Sequence, residues 1–178
     1  MIILIGPSAS GKTEIAKKLI SSFNYQKFVT TTTRAMRQNE KNKIDYYFIS
    51  KEEFLEKIKQ DLFIEYTIYN DNYYGSYKKE KDDNKVLIVE PNGLESFKKL
   101  KDQHIVSFYI KSDENDRKER MIKRGDKKED IIKRLNNDRL IFNDSIKTDF
   151  VITNKNSTLE ELSEKINQLY KEKLSLIK

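Results

Sequence analysis

The sequence contains no cysteine. It therefore offers no disulfide, no thiolate nucleophile and no cysteine-bound metal, and it suits a reducing compartment. Two prolines and five glycines are spread over 178 residues, and nowhere do they gather into a Pro/Gly/Ser linker. One cooperative domain, large enough to bury its own core, is expected. The single histidine, His104, precedes an apolar run at an expected surface turn, and we read it as structural rather than catalytic. Long apolar runs are also missing. Met1 to Ile5 is far shorter than a bilayer span or a signal sequence requires, and no basic segment stands ahead of it. A cytoplasmic protein with no membrane partner is the expectation.

Charge of one sign is not concentrated either. Thirty-five Lys and Arg residues are interspersed with 29 Asp and Glu, for a formal net charge of +6. Unblocked charge of this kind does not call for a nucleic-acid partner, and a cleft for phosphorylated small molecules accounts for the basic excess equally well.

What the sequence does hold is Gly6-Pro7-Ser8-Ala9-Ser10-Gly11-Lys12-Thr13, directly after the apolar Met1 to Ile5 run. It satisfies GxxxxGK[ST], the phosphate-binding P-loop. A strand delivers the chain into a glycine-rich turn whose N–H groups converge on phosphate oxygens, and the following helix adds the positive end of its dipole. Lys12 is expected to reach the β and γ phosphates and the Thr13 hydroxyl to ligate Mg²⁺. Glu14 to Ile20 continue with helical apolar spacing, as the motif demands.

Further short apolar segments, Val86 to Val89, Ile105 to Ile110 and Phe150 to Thr153, read as strands separated by helical stretches. This alternation predicts an α/β fold, a P-loop core with a mostly parallel sheet flanked by helices. Ser157-Thr158-Leu159-Glu160 reads as a capping box opening a last helix, with Leu159, Leu162, Ile166 and Leu169 on its buried face. Two segments break the alternation. Residues 30–84, rich in Tyr and Thr, read as an inserted subdomain, and residues 120–134 as a charged, mobile segment between helices with Gly125 as a hinge.

The first of these segments carries Thr30 to Thr33 followed by Arg34 and Arg37, then Asp45-Tyr46-Tyr47-Phe48. Two guanidinium forks with tyrosine hydroxyls suit a phosphate dianion. Phe63-Ile64-Glu65-Tyr66 and Asn72-Tyr73-Tyr74-Gly75-Ser76 follow. A carboxylate such as Glu65 can accept paired bonds from the ring N1–H and exocyclic amine of guanine, with a Ser or Thr hydroxyl at the base oxygen. Arg120, Arg124 and Arg134 form a further cationic set suited to a phosphoryl in transfer.

Taken in order, these motifs resemble the guanylate kinase family over nearly the whole chain. The resemblance implies Mg²⁺-dependent transfer of the ATP γ-phosphoryl group to GMP or dGMP. It divides the chain into a core (1–29, 85–119 and 135–178), an acceptor-binding subdomain (30–84) and a short lid (120–134). By the same resemblance Gly6, Ser8, Ala9, Ser10, Gly11, Lys12 and Thr13 bind ATP, with Asn154 near the adenine. Arg34, Arg37, Tyr46 and Tyr74 hold the acceptor phosphate, Thr30, Glu65 and Ser76 read guanine, and Glu90 lies near the base and metal region. Lys12, Arg34, Arg120, Arg124 and Arg134 stabilise the transferring phosphoryl group, in a monomer or weak homodimer.

Some positions depart from the family pattern. Asn39 and Lys43 stand where the family has glycine, and Ile88 stands where it has an acid. Glu90 is thereby the only carboxylate between Val86 and Gly93. Two other functions share the fold: a kinase for a different phosphorylated acceptor, such as a ribose bisphosphate precursor, and a non-catalytic interaction domain. Glu65, Ser76 and Thr30 argue against the first, Lys12 and Thr13 against the second.

Overall fold

The computed structural model describes residues 1–69, 71–143 and 146–177. The first part of the chain forms β1 (Ile2–Ile5), α1 (Lys12–Phe23), β2 (Gln26–Lys27), β3 (Thr31–Thr32), β4 (Tyr47–Phe48) and α2 (Lys51–Lys59). Then come β5 (Phe63–Tyr69), β6 (Asn72–Tyr77), β7 (Lys85–Ile88), α3 (Pro91–Lys98) and β8 (Val106–Lys111). The chain finishes with α4 (Glu114–Lys123), α5 (Lys128–Ile141), β9 (Phe150–Thr153) and α6 (Leu159–Ser175).

The main sheet is parallel throughout, in the order β2-β7-β1-β8-β9. β1 sits at its centre, with Ile2 opposite both Val86 and Val106. All four β1 residues are fully buried because helices cover both faces. Ile2 and Leu4 pack with Ile15 and Leu19 of α1 and Leu162 and Ile166 of α6. Ile3 and Ile5 pack on the opposite face with Leu94 and Phe97 of α3. An unbroken apolar run, rather than an alternating one, is what a strand buried on two sides requires. Parallel strands leave their carboxyl ends on one edge of the sheet, and the glycine-rich loop after β1 emerges there.

A second sheet, ordered β4-β3-β6-β5, is mostly antiparallel, with β3 and β4 as its parallel pair. Its own small core is aromatic: Phe54 of α2 stacks on Phe63 with ring centres 4.4 Å apart and leans on Tyr73 at 5.2 Å. Ser50 caps α2 by accepting from the Glu53 N–H at 3.1 Å.

Two expectations are corrected. The capping box of α6 is one residue later than predicted. Thr158 accepts from the Glu161 N–H at 3.2 Å while Glu161 accepts from the Thr158 N–H at 2.8 Å. Ser157 instead points its hydroxyl back at the Lys155 carbonyl, and the shift leaves Leu159 exposed and buries Tyr170. The segment 120–134 is not an irregular stretch between helices. It holds the last turn of α4, a tight turn and the first turns of α5, anchored by buried Met121 and Ile131. The turn is a Schellman cap: the Gly125 N–H donates to Ile122 O at 2.9 Å and the Asp126 N–H to Met121 O at 3.1 Å. Gly125 supplies the positive φ of 85° that this geometry demands. Among the described residues no helix is long and apolar enough to cross a membrane.

Candidate active site

The loop from Gly6 to Gly11 is shaped by close contacts. A Cβ on Gly6 would lie 2.5 Å from the Ile110 carbonyl oxygen of β8, and one on Gly11 would lie 2.6 Å from Asn154 Nδ2. Gly11 also has φ 104° and opens α1, so the loop feeds directly into a helix N-terminus. Asn154 is buried and donates from Nδ2 to the Ser10 carbonyl at 2.8 Å. In this geometry its amide braces the loop from behind.

Lys12 folds back over the loop. Its ammonium donates to the carbonyls of Gly6 at 2.5 Å and Pro7 at 2.8 Å. Burial lowers its pKa from 10.5 to about 8, against the opposing pull of Glu90 and Asp138. Thr13 is exposed, and its hydroxyl makes no hydrogen bond among the described residues. A cavity of ≈ 300 Å³ is bounded by Ala9 to Thr13 on one side and Arg120 and Arg124 on the other. Arg120 also donates to the Ala9 carbonyl at 3.2 Å and to the Ser112 hydroxyl at 3.0 Å, so α4 is pinned to the loop.

A larger cleft of ≈ 1030 Å³ opens on the other side of the loop. Ser8, Tyr46, Tyr74, Glu90 and Asp138 line it. Tyr46 and Tyr74 meet edge to face with ring centres 6.2 Å apart, and the Arg34 guanidinium lies 5.5 Å from the Tyr46 ring centre. Arg34 is held at 2.7 Å by the Glu40 carboxylate, which also accepts from the Arg37 N–H at 2.8 Å. The Arg37 side chain is exposed on the same loop.

Glu65 and Ser76 face each other in register across β5 and β6, and the Ser76 hydroxyl donates to the Glu65 carboxylate. Desolvation raises the Glu65 pKa, partly offset by that hydrogen bond. The Glu65 carboxyl carbon lies 3.9 Å from where a Cβ on Gly93 would stand, so the absence of a side chain on α3 leaves it room. Thr30, one residue before β3, gives its carbonyl to the Tyr47 N–H at 2.9 Å. Glu90 is exposed at the start of α3, yet the cleft walls still desolvate it enough to raise its pKa.

Arg124 and Arg134 make no hydrogen bond to the loop among the described residues. Arg124 is paired with Asp126 across the Schellman turn, and Arg134 is exposed on α5, where its charge helps to keep Asp126 ionised.

Two charged residues at this site went unread in the sequence. Asp138 of α5 is buried and accepts from the Ser8 N–H at 2.9 Å and the Ser8 hydroxyl at 3.2 Å. Arg117 of α4, also buried, donates to Asp138 at 2.7 Å and to the Ser8 carbonyl at 3.3 Å. In a stretch this dense in charge nothing local separates a buried Arg or Asp from its solvated neighbours. The available signal is spacing: Arg117 precedes Arg120 by one helical turn, and Asp138 follows Arg134 by one. Asp138 also alters the expectation around Ile88, because a second carboxylate, from a different element, acts on Lys12 together with Glu90.

The chain has relatives among known proteins. The sequence profile described as "Guanylate kinase" matches residues 1–173. The guanylate kinase of Mycoplasma genitalium is 36% identical over 174 residues, covering 91% of this chain and 72% of its own. That of Mycoplasmopsis pulmonis is 36% identical over 183 residues, covering 95% and 92%. The crystal structure of guanylate kinase from Anaplasma phagocytophilum superposes with a TM-score of 0.70 at 28% identity, covering 96% of this chain and 84% of the other. Profile match, sequence likeness and overall superposition extend over nearly the full length, and the chain belongs to the guanylate kinase family.

Proposed function

We propose that this protein transfers the γ-phosphoryl group of ATP to GMP or dGMP, giving ADP and the corresponding diphosphate, in the cytoplasm. One observation carries the reading. The two cavities share the phosphate loop as a wall, with Ser8 facing the larger and Ala9 the smaller, so a donor and an acceptor meet at Lys12. Residues 30–84 then serve as the acceptor-binding part and 120–134 as the lid.

In this reading the triphosphate lies along Ser8 to Thr13, in the N–H cradle at the start of α1. Lys12 exchanges the Gly6 and Pro7 carbonyls for phosphate oxygens, and Arg120 and Arg124 close the far side. No cluster of three or more His, Cys, Asp or Glu residues able to hold a metal exists among the described residues. Mg²⁺ arrives with nucleotide phosphates and keeps much of its water. The free Thr13 hydroxyl would hold it, and it would neutralise charge on the donor phosphates.

On the acceptor side, Arg34 releases Glu40 to take the GMP phosphate, with Arg37, Tyr46 and Tyr74 as further donors. Glu65 accepts from the guanine N1–H and amine, while Ser76 and Thr30 address the base oxygen. No general base is required, since the second pKa of a phosphate monoester is about 6 and the attacking oxygen is already anionic. Most of the acceleration comes from alignment and preorganised positive charge.

The test offers ATP and Mg²⁺ with GMP, dGMP, AMP, CMP, UMP or a phosphorylated pentose and follows ADP formation. Transfer to GMP and dGMP, abolished in Lys12→Ala, is expected. Equal or faster transfer to AMP or a sugar phosphate would overturn the guanine assignment, and no transfer to any acceptor would overturn the kinase reading.

A further inference from the structure

The buried Arg117–Asp138 pair is the charged group that the transfer scheme above leaves without a task. Both side chains are 6% exposed, and a buried ion pair is a poor source of net stability compared with apolar side chains of similar volume. Its partners are specific. Asp138 takes both polar groups of Ser8, the amide and the hydroxyl, while Arg117 addresses the Ser8 carbonyl and leaves its own Nε without a partner. Ser8 is therefore held on three sides by two helices, and the following residue, Ala9, is held by Arg120. Ala9 has a positive φ of 58°, a conformation that a non-glycine residue keeps only when its surroundings impose it.

We propose that Arg117 and Asp138 are positioning residues for the donor site: together they fix Ser8 and the first half of the phosphate loop in the shape that receives the ATP phosphates. The charges have to be present as a pair. Asp138 alone would be a buried anion beside the place a triphosphate must enter, and Arg117 cancels it. Arg117 alone would leave the Ser8 amide and hydroxyl without their acceptor. The pair also links α4 to α5, so the helices bearing Arg120, Arg124 and Arg134 are set by the same contact that sets the loop.

The test compares the parent protein with Arg117→Met, Asp138→Asn and the apolar double variant Arg117→Met/Asp138→Leu. Dissociation constants for ATP and, separately, for GMP are measured by calorimetry, alongside thermal midpoints. Either single change is expected to weaken ATP binding at least about tenfold, the scale of losing one hydrogen bond to a charged group at the loop. GMP binding should fall clearly less than ATP binding, because Asp138 lines the larger cleft but neither residue of the pair hydrogen-bonds to the guanine-reading sheet. The double variant is expected to recover the parent midpoint while ATP binding remains weak, which is decisive even if a single variant fails to fold. Recovery of both would show the pair to be core filling and overturn the proposal. So would parallel loss of GMP and ATP binding, or unchanged ATP binding. The inference rests on the donor assignment above, but these constants need no turnover. An inactive protein that binds ATP in this pattern would sink the kinase reading and leave the positioning role standing.

Discussion

Lys12 carries a charge that the empty site barely tolerates, and this makes nucleotide binding dependent on pH in a calculable way. Burial sets its pKa at about 8 in the free protein, against 10.5 for an ordinary lysine. A bound triphosphate surrounds the ammonium with negative charge and returns its pKa to at least the ordinary value. The nucleotide-bound state therefore holds more protons than the free state above pH 8, and affinity must fall as pH rises. With those two pKa values the dissociation constant at pH 9 is about tenfold that at pH 7, or about 1.4 kcal/mol. Binding should take up about 0.9 proton at pH 9 and about 0.1 at pH 7. Calorimetry with ATP in EDTA, in two buffers of different ionisation enthalpy at each pH, reads both quantities, and Lys12→Ala should abolish the pH dependence. The same pKa gives the opposite trend for stability. The unfolded chain holds the extra proton between about pH 8 and 10.5, so the empty folded protein gains stability as pH rises through that window. A flat affinity between pH 7 and 9 with no buffer-dependent heat would refute the argument.

Glu65→Gln places an amide donor against the guanine donors and should raise the GMP KM by about 1.5–3 kcal/mol, roughly 10- to 150-fold, leaving the ATP KM unchanged; an unchanged GMP KM removes Glu65 from base recognition. Gly75→Ala would put a Cβ 2.9 Å from both Phe54 and Phe63. This overpacking should cost about 2 kcal/mol and lower the thermal midpoint by about 6 °C. Lys43 has φ 68°, a left-handed conformation that glycine adopts without a Cβ penalty. Lys43→Gly should therefore raise stability by about 0.5–1 kcal/mol in urea unfolding, after the extra chain entropy of glycine is subtracted.

The main sheet was legible because its strands are buried on both sides, so Ile2–Ile5 and Val106–Lys111 carry apolar runs that no surface segment shares. The phosphate loop was legible because its motif is a fixed local spacing, although the contacts that demand glycine come from far along the chain, the Ile110 carbonyl at Gly6 and the Asn154 amide at Gly11. The helical content of 120–134 was not, because Lys and Arg are good helix formers that also populate exposed loops, and buried Met121 and Ile131 are what anchor the helices there. Arg117 and Asp138 escaped for a related reason. Their 21-residue separation carries no period, and their burial comes from two helices closing on Ser8. Lys43 shows the converse: the sequence marked it as a loop residue, and the structure gives it a left-handed backbone that glycine would hold without strain.

The place of β1 at the centre of the main sheet also has a meaning for the order in which the chain can assemble. Its neighbours are Val86 to Ile88 and Val106 to Tyr109, so both partners of the central strand are synthesised long after it. At about 5–20 residues per second, the 80 or so residues before Val86 keep the Ile2–Ile5 segment unpaired for about 4–16 s on the ribosome. The second sheet draws its strands from residues 31–77, all of which precede β7. It can therefore form while β1 still waits, whereas the phosphate loop, which depends on β8 and Asn154, is among the last parts to be completed.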